Sequence, residues 1–250
     1  MFKYEAVFMS TYNKNRPQTI QIMFNSIAKQ YDRTNAVLSF CLHKRWNLEL
    51  VKKVQSQQTS HTLLDLCAGT GDVAFSYLNQ VSAPCQAYLV DFSSEMLACA
   101  EEKAKSFGKT PHSFQYVLAD VQRLPFSNQT MDCATMAYGI RNIHHPLQSL
   151  QETYRVLKPG GCLGILELTR PENKFLQIGH QLYLKTLLPL LGKWLTANEN
   201  AYQYLRKSIH TFIPPGELEE LVKTAGFINT GRYSLAGGIA TIITGFKPMK

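Results

Sequence analysis

The run Leu63-Leu64-Asp65-Leu66-Cys67-Ala68-Gly69-Thr70-Gly71-Asp72 passes from an apolar strand-like stretch into a turn with two glycines, and Val73 to Leu78 continues as a helix. Glycines there let the backbone approach a ligand that any Cβ would push away, which makes Gly69, Thr70 and Gly71 candidate contacts for a nucleotide-like group. The same turn also serves as a tight strand-to-helix connection with Asp72 as helix cap. A second acid, Asp91, closes the next apolar run twenty residues after Gly71. A carboxylate at the C-terminal edge of a strand can accept hydrogen bonds from both hydroxyls of a ribose.

Two cofactors fit that pattern. Gly69-x-Gly71-x-x-Ala74 satisfies the dinucleotide spacing, so an NAD-dependent oxidoreductase stands beside an enzyme that uses S-adenosylmethionine. The third apolar run ends in Ala119-Asp120-Val121 and is followed by Leu124-Pro125-Phe126. This sets a carboxylate where an adenine amino group could donate to it, with apolar neighbours to sandwich the ring. A dehydrogenase has no particular need of that element.

The elements that must position these residues alternate. Strand-like runs at Leu63 to Cys67, Ala87 to Asp91, Phe114 to Ala119, Cys133 to Tyr138 and Cys162 to Leu168 are separated by amphipathic stretches such as Ser94 to Ser106 and Leu147 to Leu157. Alternation of this kind predicts parallel strands joined by right-handed crossovers, a doubly wound α/β sheet covered on both faces. Ahead of it, Thr19 to Val54 carries apolar residues at helical spacing, which predicts two or three helices. Arg170 to Ile213 holds no strand-like run and reads as a helical insertion or lid. Helix-forming residues from Glu217 to Thr224 and two runs at Arg232 to Leu235 and Ile239 to Phe246 complete the chain, with Gly237-Gly238 as a hairpin turn.

The 250 residues are 45% hydrophobic and 18% charged, the profile of an ordinary globular protein. The net charge of +8 favours anionic partners at long range. The basic residues are scattered in pairs such as Lys52-Lys53 and Arg206-Lys207, without the basic arm of a nucleic-acid binder, so no nucleic-acid partner is expected. Six cysteines without a C-x-x-C pair read as reduced thiols of a cytoplasmic protein. Met1 to Arg16 contains Glu5 and lacks the apolar core of a signal peptide. The most lipid-like stretch, Leu182 to Leu195, is interrupted by Lys185, Pro189, Gly192 and Lys193 and falls short of the roughly 20 residues a spanning helix needs.

Taken in order, Leu64-Asp65-x-x-x-Gly69-Thr70-Gly71, Asp91, Ala119-Asp120, Leu124-Pro125-Phe126 and Arg155-Val156-Leu157-Lys158-Pro159-Gly160-Gly161 resemble the motif series of class I methyltransferases. The chain departs from it at Cys67 and Ala68, where the turn must tolerate two Cβ atoms, Cys67 standing in the place of the first glycine. A narrower resemblance runs from about Phe24 to Lys247. Phe24-Asn25-Ser26-Ile27-Ala28-x-x-Tyr31-Asp32, Tyr138-Gly139-Ile140-Arg141-Asn142, Leu166-Glu167-Leu168-Thr169-Arg170-Pro171, Tyr202-x-Tyr204-Leu205-x-x-Ser208-Ile209 and Leu235-x-Gly237-Gly238-Ile239 are similar to the quinone-biosynthesis C-methyltransferases of the demethylmenaquinone methyltransferase type, which also include ubiquinone-pathway members.

The resemblance implies a mostly parallel, seven-stranded Rossmann-like sheet with a C-terminal β-hairpin. It implies a lead-in over 1–18 and one methyltransferase domain over 19–250, with a helical cap at 19–60 and an insertion at 170–213. It places cofactor contacts at Thr70, Asp91, Asp120, Val121 and Ala137, the last where many relatives have Ser. Lys207 reverses the charge of the usual Glu beside the lid. The implied reaction is transfer of a methyl group from S-adenosylmethionine to a ring carbon of a polyprenylated quinol, demethylmenaquinol ahead of the ubiquinone-pathway benzoquinol, and needs no metal. Arg141 would stabilise phenolate charge or orient a water, Asn142 would act beside it, and His144 and His145 are nearby titratable groups. Leu182, Tyr183, Leu187, Leu188, Leu190, Leu191 and Trp194 would offer a groove for the prenyl tail. With Lys185, Lys193, Arg206 and Lys207 around it, that lid could touch an anionic bilayer at the inner face of the membrane, which flotation with anionic liposomes at low and high salt tests. A homodimer is compatible with this reading.

Overall fold

The computed structural model describes residues 13–55, 62–107, 110–187 and 199–250. Most of the expected lead-in, residues 56–61 of the polar linker, and Leu188, Pro189, Leu190, Leu191, Gly192, Lys193 and Trp194 of the expected lid lie outside the described residues.

Three helices open the described chain, α1 (Pro17–Ile27), α2 (Tyr31–Leu38) and α3 (Leu42–Gln55). The sheet then alternates with helices: β1 (Thr62–Leu66), α4 (Asp72–Leu78), β2 (Gln86–Asp91), α5 (Ser94–Lys105), β3 (Ser113–Leu118), β4 (Met131–Ala137), α6 (Pro146–Val156) and β5 (Leu157–Leu168). The insertion contributes α7 (Lys174–Leu182), a wide helical turn at Tyr183–Leu187, and α8 (Glu199–Thr211). Helix α9 (Pro215–Thr224), β6 (Ile228–Leu235) and β7 (Ala240–Phe246) finish the fold.

The seven strands form one sheet in the order β3-β2-β1-β4-β5-β7-β6. Strands β1 to β5 pair in parallel, and β7 lies antiparallel between β5 and β6. Alternate residues of β1 feed opposite cores. Leu63 joins Trp46, Leu50, Leu78 and Leu89 on the α3 and α4 side, whereas Leu64 and Leu66 join Leu150, Val156, Leu218 and Val222 on the α6 and α9 side. Burial on both faces is why these strands read as continuous apolar runs.

One strand differs from expectation in extent. Strand β5 begins at Leu157, five residues before Cys162, because the Lys158-Pro159-Gly160-Gly161 turn signal is held in the ladder by Gly160 N–H to Lys247 O and Lys247 N–H to Gly161 O. Helix α7 turns Phe175, Ile178 and Leu182 outward, and most of the residues expected to offer a tail groove lie outside the described residues. No described helix is long and apolar enough to cross a membrane.

From β1 the chain moves outward to β2 and β3, and from β4 it moves the other way to β5. The loops that follow β1 and β4 therefore diverge and open a crevice at the carboxyl edge of the sheet.

Candidate active site

The turn after β1 is built on positive φ angles at Cys67 (52°), Gly69 (55°) and Gly71 (82°). Cys67 fits in the position of the first glycine because residue 139 has no side chain: a Cβ on Gly139 would sit 2.4 Å from the Cys67 Cβ. Burial, then the charge of Asp91, push the Cys67 thiol well up, so it is a packing group and not a reactive thiolate. Asp65 ties the turn to its surroundings, accepting from Thr135 Oγ1 at 2.7 Å and from the Ala74 N–H at 3.2 Å. Gly71, not Asp72, is the N-cap residue of α4, and the Asp72 carboxylate meets Lys103 Nζ at 2.5 Å.

Around this turn lies a cleft of about 770 Å³. Of the expected cofactor contacts, Gly69, Asp91, Asp120, Val121 and Ala137 line it. Thr70 and Gly71 do not. The Thr70 hydroxyl is turned away to donate to Asp32 Oδ1 and receives Lys103 Nζ at 3.3 Å, while a Cβ on Gly71 would strike the Phe75 ring 2.6 Å away.

Asp91 is the buried acid of the cleft. Its Oδ2 accepts the Gly69 N–H at 2.8 Å and its Oδ1 the Ser93 N–H at 2.9 Å, and the Phe92 N–H also supports the carboxylate. Burial raises its pKa to about 6, against the lowering pull of those N–H groups. Asp120 is exposed at the other side, its carboxylate held by Gln122 N–H and Nε2 at 2.9 to 3.1 Å. Leu124-Pro125-Phe126 is not the expected sandwich, because Leu124 belongs to the core and Phe126 stacks edge-on against Tyr88 at 5.3 Å. The apolar lining beside Asp120 comes instead from Phe92, Met96, Ala119 and Ile143.

The N-terminal cap completes the wall. Pro17, Phe24 and Tyr31 face the cleft, held there by Gln21 Nε2 to Phe92 O, Ser93 Oγ to Asn25 Oδ1 and an edge-on Phe24–Phe92 contact at 6.2 Å. The role of the Phe24 to Asp32 motif was not legible in the sequence, because its distance along the chain from the glycine turn hides its place in the cleft.

The loop after β4 carries Arg141 and Asn142 on a short helical turn at Ile140–Asn142. They part company there. Asn142 lines the cleft and receives Tyr204 Oη on its Oδ1 at 2.8 Å. Arg141 does not line it: its guanidinium is buried against Glu167, with a second bond to Tyr138 O, and its Nε is buried without a partner among the described residues. Burial works against both charges, and the Glu167 carboxylate holds the Arg141 pKa above its ordinary value. His144 lines the cleft with Nδ1 buried and unpartnered, whereas His145 is exposed at the N-cap of α6 without a side-chain capping bond. Tyr31 and Tyr204 are raised by burial, Tyr204 to about 12, so each keeps its proton at neutral pH.

A turn that presents Gly69 to the cleft, a buried carboxylate, a second carboxylate opposite and an apolar lining fit an adenosine-bearing ligand. A family model described as the ubiE/COQ5 methyltransferase family matches residues 10–247. The chain is 42% identical to a demethylmenaquinone methyltransferase of Chlamydia caviae, over 91% of this chain and 95% of that one. It is 44% identical to the protein of the same name from Chlamydia trachomatis serovar D, over 91% and 96%. Among solved structures, a SAM-dependent methyltransferase from Aquifex aeolicus superimposes with a TM-score of 0.61 at 18% identity, over 89% of this chain and 97% of that one. A possible histamine N-methyltransferase from Thermotoga maritima gives 0.61 at 19% identity, over 90% and 98%. These two likenesses are of fold, that of the Rossmann-like methyltransferases.

Proposed function

The chain belongs to the ubiE/COQ5 methyltransferase family, and from that premise we propose that it transfers a methyl group from S-adenosylmethionine to a ring carbon of a demethylated polyprenyl quinol, demethylmenaquinol in particular. The observation that carries the substrate is the likeness, over nine tenths of the chain, to relatives named for that reaction.

When bound, S-adenosylmethionine supplies a methyl carbon activated by its sulfonium. The remaining demands fall on the protein. A ring carbon is a weak nucleophile until a neighbouring hydroxyl gives up its proton, and after the carbon–carbon bond forms the same ring carbon must lose its hydrogen to restore aromaticity. Asp91 would accept from the ribose hydroxyls, Asp120 would accept from the adenine amino group, and Gly69 would allow close approach of the backbone. Asn142, facing the cleft, orients the acceptor's hydroxyl. Arg141, paired with Glu167 and bonded to Tyr138 O behind the same loop, holds that loop and with it Asn142 in place. Phe24 and Tyr31 exclude water from the reacting atoms.

Methyl transfer from labelled S-adenosylmethionine to a panel of demethylated quinols, under reducing conditions, tests this reading. Label is expected in demethylmenaquinol, and in Arg141→Ala at a rate at least tenfold lower with cofactor affinity retained. Label in no quinol overturns the function, label in the benzoquinol alone moves the enzyme to the ubiquinone branch, and an unimpaired Arg141→Ala removes that residue from the mechanism.

A further inference from the structure

A second cavity, of about 530 Å³, lies between the N-terminal helices and α8. Phe24 and Tyr31 line both this cavity and the cofactor cleft, so the two spaces share a wall of two aromatic rings in edge-on contact, 6.2 Å between centroids. The remainder of the lining is largely aliphatic, with Ile27 and Leu38 from the cap and Leu205 from α8. Its polar groups include the Tyr204 side chain, whose hydroxyl donates to Asn142 Oδ1 at 2.8 Å. One hydrogen bond thus joins a residue of this cavity to a residue of the cofactor cleft.

We infer that this cavity holds the aromatic ring and first prenyl unit of the acceptor, and that Tyr204 is a positioning residue that aims the Asn142 amide at the acceptor's hydroxyl. The inference rests on the proposed quinol methylation and names the place of its acceptor. Three features favour that occupant. The cavity adjoins the cofactor cleft, as a methyl acceptor requires. Its aliphatic residues Ile27, Leu38, Ala201 and Leu205 suit a hydrocarbon substituent. Its polar residues Tyr31, Thr34, Asn35 and Tyr204 offer partners to a ring hydroxyl.

The test uses the full chain with two acceptors, a demethylated naphthoquinol carrying one prenyl unit and the same quinol without a tail. Ala201→Phe fills the cavity from α8, Leu205→Ala enlarges it, and Tyr204→Phe removes the hydroxyl that holds Asn142. In Ala201→Phe the KM for the prenylated quinol is expected to rise tenfold or more, with the Kd for S-adenosylmethionine within twofold of wild type. Leu205→Ala raises the same KM severalfold and leaves that for the tail-less quinol nearly unchanged. Tyr204→Phe lowers kcat about tenfold with little change in either binding constant, a split that loss of packing alone would not give. If Ala201→Phe no longer binds S-adenosylmethionine it has misfolded, and Leu205→Ala then decides the case. Wild-type kinetics in Leu205→Ala and Tyr204→Phe, from a protein that methylates both quinols, overturn this inference alone. A wild type that binds S-adenosylmethionine and methylates neither quinol overturns the proposed function and the inference with it.

Discussion

Asp91 is held by the fold at the edge of its useful range. Burial raises its carboxyl from an ordinary 3.8 to about 6, and the N–H groups of Ser93 and Gly69 limit the rise. A protonated carboxyl cannot accept from both ribose hydroxyls, so cofactor affinity follows its ionisation. The expected outcome is an affinity for S-adenosylmethionine about tenfold weaker at pH 5 than at pH 7, the factor for one site that binds only when ionised. Calorimetry across that interval checks it, and Asp91→Asn should bind weakly with the pH dependence flattened. The effect on stability has the opposite sign: with its pKa raised on folding, the stabilisation Asp91 gives the folded state is full below about pH 4 and is lost as pH rises through about 6. Residue types and spacing revealed Asp91, Asp120 and Gly69 because a strand end and the turn after it are local features. They did not reveal that Thr70 faces Asp32 or that Arg141 is bound to Glu167, since side-chain direction depends on neighbours from other elements.

Among the elements, the seating of α3 on β5 turns on one missing side chain. A Cβ on Gly164 would lie 2.5 Å from Val54 Cγ2 and 2.8 Å from Leu50 Cδ1, so the helix rests directly on the strand's backbone. Gly164→Ala is therefore expected to destabilise the protein by about 1–3 kcal/mol, the usual cost of overpacking a filled core. Urea denaturation measures this, and unchanged stability would mean that α3 can slide outward at no cost. The apolar stripe of α3, with Trp46 and Leu50, was legible from its helical period. The reason for Gly164 was not, because only the docked helix supplies the atoms a methyl group would meet. The start of β5 was hidden in a similar way: Pro159, Gly160 and Gly161 carry a turn signal, and pairing with Lys247, far along the chain, overrides it.

Across the whole molecule, Lys103 fastens the cap to the sheet. Its ammonium on α5 meets Asp32 of α2 at 2.7 Å and Asp72 of the glycine turn at 2.5 Å, and the two carboxylates keep its pKa raised against partial burial. Since Phe24 and Tyr31 of the cap wall the cleft, loosening this contact should hasten release of what the cleft holds. Partly exposed pairs of this kind contribute about 1 kcal/mol, so Lys103→Met is expected to speed dissociation of S-adenosylmethionine about fivefold, and high salt to narrow the difference. Stopped-flow displacement reads the rate, and equal rates would show a cap that moves independently of the latch. The sequence by itself determined the alternating α/β order, the glycine turn and the acids at the ends of β2 and β3, because each is encoded within one strand-turn-helix unit by period, positive-φ glycine and side-chain charge. The tertiary structure alone decided which residues enclose the reaction. Phe24 and Tyr31 arrive from upstream, Tyr204 arrives from downstream to hold Asn142, and Arg141 withdraws behind the wall to Glu167. Those placements follow from how helices dock on a finished sheet, a free energy summed over contacts between segments remote in sequence.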